Sequence, residues 1–339
     1  MSEQEAEHRF PCVECGSDLR FNPSRGALTC DYCGAEAPLE PLLSLEDSRE
    51  ELSYSAAISA EIPESEIEVT RIVKCESCGA QVELGGQDHA AECPFCASPI
   101  VVGTGTNRHL KPRAVLPFHV AEDTARDSVG AWLGRLWFAP NGLKTYARKG
   151  RRLQGIYVPY WTYDSETDSR YTGERGDHYY VTVTVNGKTQ RQRRTRWSRR
   201  SGEVSRRFDD VLVLASQSLP KRYADNLAPW NLGALEPYAP AYLAGFRAEA
   251  YAVDVEQGFG EAQDIMDAVI RGDVRRDIGG DVQRIHSLDT THRNITFKHI
   301  LLPIWLAAYK YRGNTYRLVV NGLTGKVQGE LAYVYSQGR

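Results

Sequence analysis

CVECGSDLRFNPSRGALTCDYCG, residues 12–34, carries two Cys-x-x-Cys pairs with fourteen residues between them, and the same frame returns sixty-three residues later, in residues 75–96. All eight cysteines belong to these two sets: Cys12, Cys15, Cys30 and Cys33, then Cys75, Cys78, Cys93 and Cys96. The spacing fits the paired-CxxC pattern of a zinc site to within one residue. Two residues between thiolates let one tight turn aim both sulfurs at one ion, and Gly16, Gly34 and Gly79 follow three of the pairs, where such a turn needs positive φ. The loop between pairs is expected to form a short hairpin that returns the second turn opposite the first. Two zinc ribbons result, each with four thiolates and no open position for water or substrate. Disulfides compete with this reading only in an oxidising compartment, and a redox CxxC normally stands singly in a βαβ setting. The two ions are therefore read as structural Zn²⁺ that folds units too small to build a large core.

Charge narrows what the ribbons do. Ribbon one sets Glu14, Asp18 and Asp31 against Arg20 and Arg25, and ribbon two sets Glu76, Glu83, Asp88 and Glu92 against Arg71 and Lys74. Phosphate binding rests on Lys and Arg displacing counterions, so protein contact is favoured over DNA or RNA. The imbalance is wider than the ribbons. The net charge of the 339-residue chain is −3, but residues 1–100 hold 20 acids and 6 bases (−14), which leaves 24 acids and 35 bases (+11) for residues 101–339. An acidic head is joined to a basic body. The N-terminal MSEQEAEHRF has no basic start or apolar middle, and no run reaches the ~18 apolar residues of a membrane span, so a cytoplasmic protein is expected.

The organisation follows: ribbon one over 8–37, an acidic linker over 38–70, ribbon two over 71–102, and an α+β body in two halves, 110–220 and 221–339. Residues 36–70 carry ten acids and one base, Arg49, and read as a mobile connector with one short helix near 45–57. In the body, Ala125, Val129, Trp132, Leu133 and Leu136 share a helical face that Pro140, Asn141 and Gly142 should end. Strands follow in GIYVPYWTYD, DHYYVTVTVNGKTQRQRRTRW and FDDVLVLAS. A second helix is expected over 261–270, flanked by strands at 250–255 and 281–288, then by KHILLPIWLAAYKYRG and TYRLVVNGLTGKVQG with a turn at Asn321-Gly322. Both halves place Pro-x-Trp in an apolar strand after their helix, Pro159-Tyr160-Trp161 and Pro303-Ile304-Trp305. The fold class is α+β with a mainly antiparallel sheet, and a diverged duplication is one reading of the recurrence.

Asn186-Gly187-Lys188-Thr189 ends like a phosphate-binding loop, but Thr182 stands where that loop needs Gly. Alternating Val181, Val183 and Val185 before Asn-Gly make it a hairpin instead, with cross-strand partners summing to 373. Its returning strand holds Lys188, Arg191, Arg193, Arg194, Arg196, Trp197, Arg199 and Arg200. Three roles stay open for this arm: phosphate contact with Trp197 stacking on bases, docking on the acidic head or an acidic partner, or a solvated strand that resists aggregation. No catalytic constellation is present: there is no HExxH, no GxSxG, and no cysteine outside the metal sets. Asp277 and Asp281 in DIGGD read as a turn.

The two ribbons followed by IYVPYWTYDSETDSRYTGERG, FDDVLVLAS, TFKHILLPIWLAAYKYRG and YRLVVNGLTGKVQGE resemble a bacterial double zinc-ribbon family commonly labelled primosomal protein N′ (replication factor Y) or superfamily II helicase. That resemblance implies replication restart and helicase action. The nucleotide-binding motifs of a helicase are absent here. Some zinc-ribbon relatives also resemble companions of membrane-associated SPFH or phage-shock-type stress systems, which implies an adaptor. The expectation is a non-enzymatic zinc adaptor that recruits protein partners, in a membrane-stress or replication complex, without nucleotide; the alternative is a DNA-associated factor that uses the arm.

Overall fold

The computed structural model describes residues 10–41, 44–83, 90–96, 98–101, 106–135, 153–185, 188–311 and 314–329. Ribbon one comprises β1 (Leu19–Asn22), β2 (Ala27–Cys30) and β3 (Glu36–Ala37), and is followed by α1 (Leu45–Arg49), β4 (Leu52–Ser53) and α2 (Tyr54–Ile58). Ribbon two comprises β5 (Ile67–Lys74), β6 (Gln81–Glu83), β7 (Ala90–Glu92) and β8 (Pro99–Val101), with β9 (Thr106–Leu110) paired to β5. The body runs β10 (Ala114–Val115), α3 (Glu122–Gly134), β11 (Gln154–Val185), β12 (Lys188–Leu214), α4 (Lys221–Leu227), β13 (Glu236–Pro237), β14 (Arg247–Ala248), α5 (Val255–Ile278), β15 (Val282–Tyr311), β16 (Asn314–Asn321) and β17 (Val327–Gly329).

Three strands of 27 to 32 residues, in the order β12-β11-β15, form an antiparallel ribbon that organises the chain. A kink divides it. The β11–β12 pairing shifts register between Tyr163 and Ser165, and the β11–β15 pairing between Asp164 and Glu166; Asp210 and Asn294 adopt positive φ at the same level. Before the kink the side chains are apolar on both faces. After it the strands become amphipathic, with one side buried under α5 and the other polar.

Strand parity assigns the layers. Tyr157, Leu301, Trp305, Leu318 and Val320 face one way and pack with Leu19, Phe21 and Leu28 of ribbon one and Val129 and Leu133 of α3. Ile156, Val158, Ile300, Ile304 and Val319 face the other way and pack with Val73, Val82 and Phe95 of ribbon two and Leu227 of α4. Because consecutive strand residues point to opposite faces, the two ribbons clasp the root of one sheet between them. Further along the first face, Phe259, Met266, Ile270 and Val274 of α5 cover Trp161, Tyr163 and Phe208. Each buried Leu, Ile or Phe contributes roughly 1.5–3 kcal/mol.

The expected mobile connector is instead anchored to the body. β4 pairs with Thr296 and Phe297 of β15, and α2 lies against α5. Lys298 Nζ lies 3.0 Å from Glu51, and Arg113 Nη1 lies 2.9 Å from Glu66. The acidic residues that suggested disorder include those that fasten the segment, because their partners lie far along the chain: 47 residues on for Glu66, and in β15 for Glu51. The second helix is also longer than expected. Asp254 caps it by accepting from Gln257 N at 2.8 Å, and Gly279, at φ 67°, ends it. Residues 250–255, expected as a strand, form the approach to this helix and, at Val255, its first residue; the strand lies earlier, in β14. Asn186-Gly187 and Pro140, Asn141 and Gly142 lie outside the described residues, but the flanking hairpin register sums to 373 from Ser165↔Phe208 to Val185↔Lys188, as the turn required.

The two Pro-x-Trp motifs meet in the β11–β15 pairing, where Pro159 faces Leu301 and Pro303 faces Tyr157. Trp161 Nε1 donates to Val253 O at 2.8 Å, two residues before α5 begins; Trp305 Nε1 donates to Val120 O at 2.7 Å, two residues before α3 begins. β10 pairs in parallel with β15, and β14 in parallel with β11.

Candidate metal centres and basic arm

Each cysteine set converges. Within each, the four sulfurs lie inside 4.8 Å of one another. Cys12–Cys33 and Cys15–Cys30 Sγ separations are 3.5 Å, and Cys75–Cys96 and Cys78–Cys93 are 3.6 Å. Tetrahedral thiolate coordination with bonds of ~2.3 Å needs sulfurs about 3.8 Å apart, so both sets fit one ion. Backbone turns aim them: Gly16 N donates to Cys12 O at 2.8 Å, Gly34 N to Cys30 O at 3.0 Å and Gly79 N to Cys75 O at 2.7 Å. These glycines have φ of 74°, 76° and 76°. A side chain there would be strained.

One thiol in each set is disposed to ionise, while Cys15, Cys33, Cys75 and Cys93 are raised. Backbone amides of Cys33 and Tyr32 lower Cys30 to about 6. The hydrogen bond with Cys93 lowers Cys78 to about 5 and raises Cys93. A soft divalent cation completes what these amides begin.

The sites differ in setting. Cys15 and Cys33 of ribbon one are exposed, whereas Cys75, Cys93 and Cys96 are buried and Cys78 is half-buried. Ribbon two is bonded to the body through its metal turn, where Arg317 Nε donates to Phe95 O at 2.7 Å; its β6 also meets the loop after β14, through Ala250 N to Gln81 O at 3.0 Å. Ribbon one is held mainly by its apolar strand face, with one backbone bond from Phe21 N to Ala244 O at 2.9 Å.

The arm is the end of the β11–β12 hairpin. β15 stops pairing at Gly176↔Val282, so Asp177–Val185 and Lys188–Arg196 continue as two strands alone. Arg191, Arg193 and Arg199 lie on one face and Arg194, Arg196 and Arg200 on the other, as the register implies. All six are exposed, and so is Lys188. Arg191 stacks on Tyr180 at 4.4 Å and Arg196 on Tyr179 at 5.6 Å. Trp197, considered for base stacking, is half-buried with the Arg284 guanidinium 3.9 Å from its ring centroid, so the exposed aromatics of the arm are the two tyrosines. Among the described residues no ion pair joins the arm to the head. The ribbons sit at the sheet's root, and seventeen residues of strand, ~55 Å, separate Tyr160 from Asp177.

Asp277 and Asp281 do not converge. Asp277 accepts from Tyr171 OH, and Asp281 accepts from His178 N at 2.6 Å. Two groupings have no sequence signal because their members are too far apart in the chain. Glu51, Asp164 and Asp210 gather at the kink, and Lys298 lies between Glu51 and Asp210 at 3.0 and 3.2 Å. Burial there, with the charge of Glu51 nearby, raises Asp164 to about 7. His299 is buried beside Trp161 and Tyr251; its Nδ1–H donates to Leu110 O at 2.9 Å, and burial lowers it to about 3.

These features define a class: an α+β chain bearing two four-cysteine metal sites on one sheet. No helix among the described residues is long and apolar enough to cross a membrane. The chain is similar to the uncharacterized protein YdjG of Bacillus subtilis (strain 168), at 25% identity over 324 residues that cover 95% of this chain and 89% of that protein. No family model matches the chain, and no solved structure matches it.

Proposed function

We propose that this chain is a non-catalytic adaptor in which two Zn²⁺ ions fasten ribbons that recruit protein partners. The observation that carries this reading is the pair of closed four-thiolate sites seated on a shared sheet: every ligand position is filled by protein, so the metal holds shape and has no place for substrate. The two Pro-x-Trp halves, each bonding to the approach of the other's helix, support descent from a duplicated unit. Elemental analysis should give two zinc per chain, and one or none overturns the double site. Photocrosslinking residues placed in the intact chain at Tyr32, Ile58, Tyr180 and Val269, all exposed, should yield adducts with another protein from at least one face. Adducts from no face would overturn the adaptor reading. Nucleotide hydrolysis that follows the chain through purification would overturn the non-catalytic one.

The DNA-associated alternative draws on one observation, the isolated arm with arginines on both faces. A two-stranded ribbon fits a major groove. Binding to duplex DNA with a steep salt dependence, lost in Arg191, Arg193, Arg194 and Arg196→Glu, would favour that reading; no salt-dependent binding would remove it.

A further inference from the structure

The repeated frame gives each position of one metal turn a counterpart in the other. The second turn of ribbon two is Cys93-Pro94-Phe95-Cys96, and its aromatic is fully buried among Ile156, Tyr160 and Val319, with the turn's carbonyl bound by Arg317. The counterpart in ribbon one is Cys30-Asp31-Tyr32-Cys33. Here the aromatic points outward: Tyr32 is 85% exposed, and Val13, on the ribbon's first turn, is 95% exposed. Among the described residues these are the two most exposed large hydrophobic side chains. Ribbon one cannot turn them inward, because Leu19, Phe21 and Leu28 already commit its other side to the body.

The surroundings specify what would meet this tip. Glu14 and Asp31 flank it and are exposed, and four thiolates around a divalent cation leave a formal charge of −2 beneath it. Arg20 approaches Asp31 only at 3.8 Å on the surface. We infer that the Val13–Tyr32 tip of ribbon one docks into an apolar pocket rimmed by Arg or Lys on a different protein, the arrangement this chain supplies internally for Phe95 with Arg317. The inference rests on the adaptor reading and assigns it a site. An aromatic anchor seated in a desolvated pocket, with polar groups at the rim, is a common centre of an interface. A second copy of the chain is a poorer occupant, because the pocket of this kind that it carries, beside Arg317, is already filled by its own Phe95.

The test uses the full-length chain with Tyr32→p-benzoylphenylalanine, crosslinked in cells, with the adduct mapped by mass spectrometry. The expected adduct is another protein, joined within an apolar pocket that carries Arg or Lys. Purified, that protein should bind the chain at least ~10-fold more weakly after Tyr32→Ser. Glu14→Lys with Asp31→Lys should slow association and flatten its salt dependence. Both substituted surfaces are exposed, and unchanged zinc content and thermal unfolding would verify the fold. An adduct with a second copy, with lipid or with nucleic acid would overturn the inference, as would an affinity indifferent to Tyr32→Ser. Adducts from position 180, 58 or 269 but none from 32 would overturn this site and leave the adaptor standing, whereas none from any position would remove both.

Discussion

Ribbon one and ribbon two share a cysteine frame and a sheet, but they are used in opposite ways. Ribbon two gives its metal turn to the core: Phe95 is fully buried and its carbonyl is taken by Arg317. Ribbon one gives the core its strand face and keeps its metal turns in solvent, with Cys15 and Cys33 exposed. A four-cysteine frame therefore fixes the geometry of a unit but not which side of it is buried. The side chains between the cysteines decide that.

The most severe test of this contrast is the loss of one ligand. Cys93→Ser should leave the chain insoluble or molten, because metal binding in such units is worth ~10–16 kcal/mol and ribbon two shares its core with β11 and β15. Cys15→Ser should leave a folded body with one zinc. With both ions bound, a thiol reagent and a chromogenic chelator should release zinc in two phases, and Cys15→Ser should abolish the faster. A single phase would erase the distinction.

Apolar truncation comes next. Phe95→Ala should cost about 3–5 kcal/mol of stability in denaturant unfolding, and Tyr32→Ala less than about 0.5 kcal/mol. Equal costs would mean that the two turns are equally committed.

Acid should find the ribbon-two side first, since His299 backs Leu110 on β9, the strand paired to β5. The folded state holds His299 near 3 against 6.5 unfolded, so the unfolded chain binds the extra proton between those values and stability falls as pH drops through that window. At pH 5 the loss from this group is roughly 2 kcal/mol. His299→Gln should lower stability at pH 7 yet flatten this slope, and a slope that persists would assign acid lability to other groups.

The opposite pH dependence belongs to the kink of β11, where Asp164 meets Glu51 of the segment between the ribbons. Asp164 is raised to about 7 from 3.8, so the folded state binds the extra proton there and stability falls as pH rises from about 4 to 7. Asp164→Asn should flatten that decline, measured by thermal unfolding across pH.

Local features were legible in the sequence. The cysteine spacing, the three glycines at positive φ and the hairpin register all depend on residues a few positions apart. The burial of the ribbons was not legible, because Leu19, Phe21 and Phe95 are unremarkable apolar residues until β11 and β15 lie beneath them. The connector misled for a related reason: Glu51 and Glu66 look like solvated charge, and only the fold brings Lys298 and Arg113 to them. Helix α5 exceeded its expected length because Gly258 and Gly260 weaken its local signal. Gly258 is where a side chain would collide with Tyr163 and Trp161.

The β11–β15 pairing has a consequence during synthesis. Gly176 must wait for Val282, and Gln154 for Leu306. At 5–20 residues per second, a ribosome needs roughly 3–14 s to pass from the end of β12 to the start of β15. Over that interval the nascent hairpin presents an unpaired β11 edge and a bare apolar root, and among the described residues β12 keeps one edge unpaired in the finished sheet. Like charge on the arginines along that strand is expected to oppose edge-to-edge pairing with a second nascent chain before the third strand exists, and Arg191, Arg193, Arg194 and Arg196→Gln should raise aggregation during refolding.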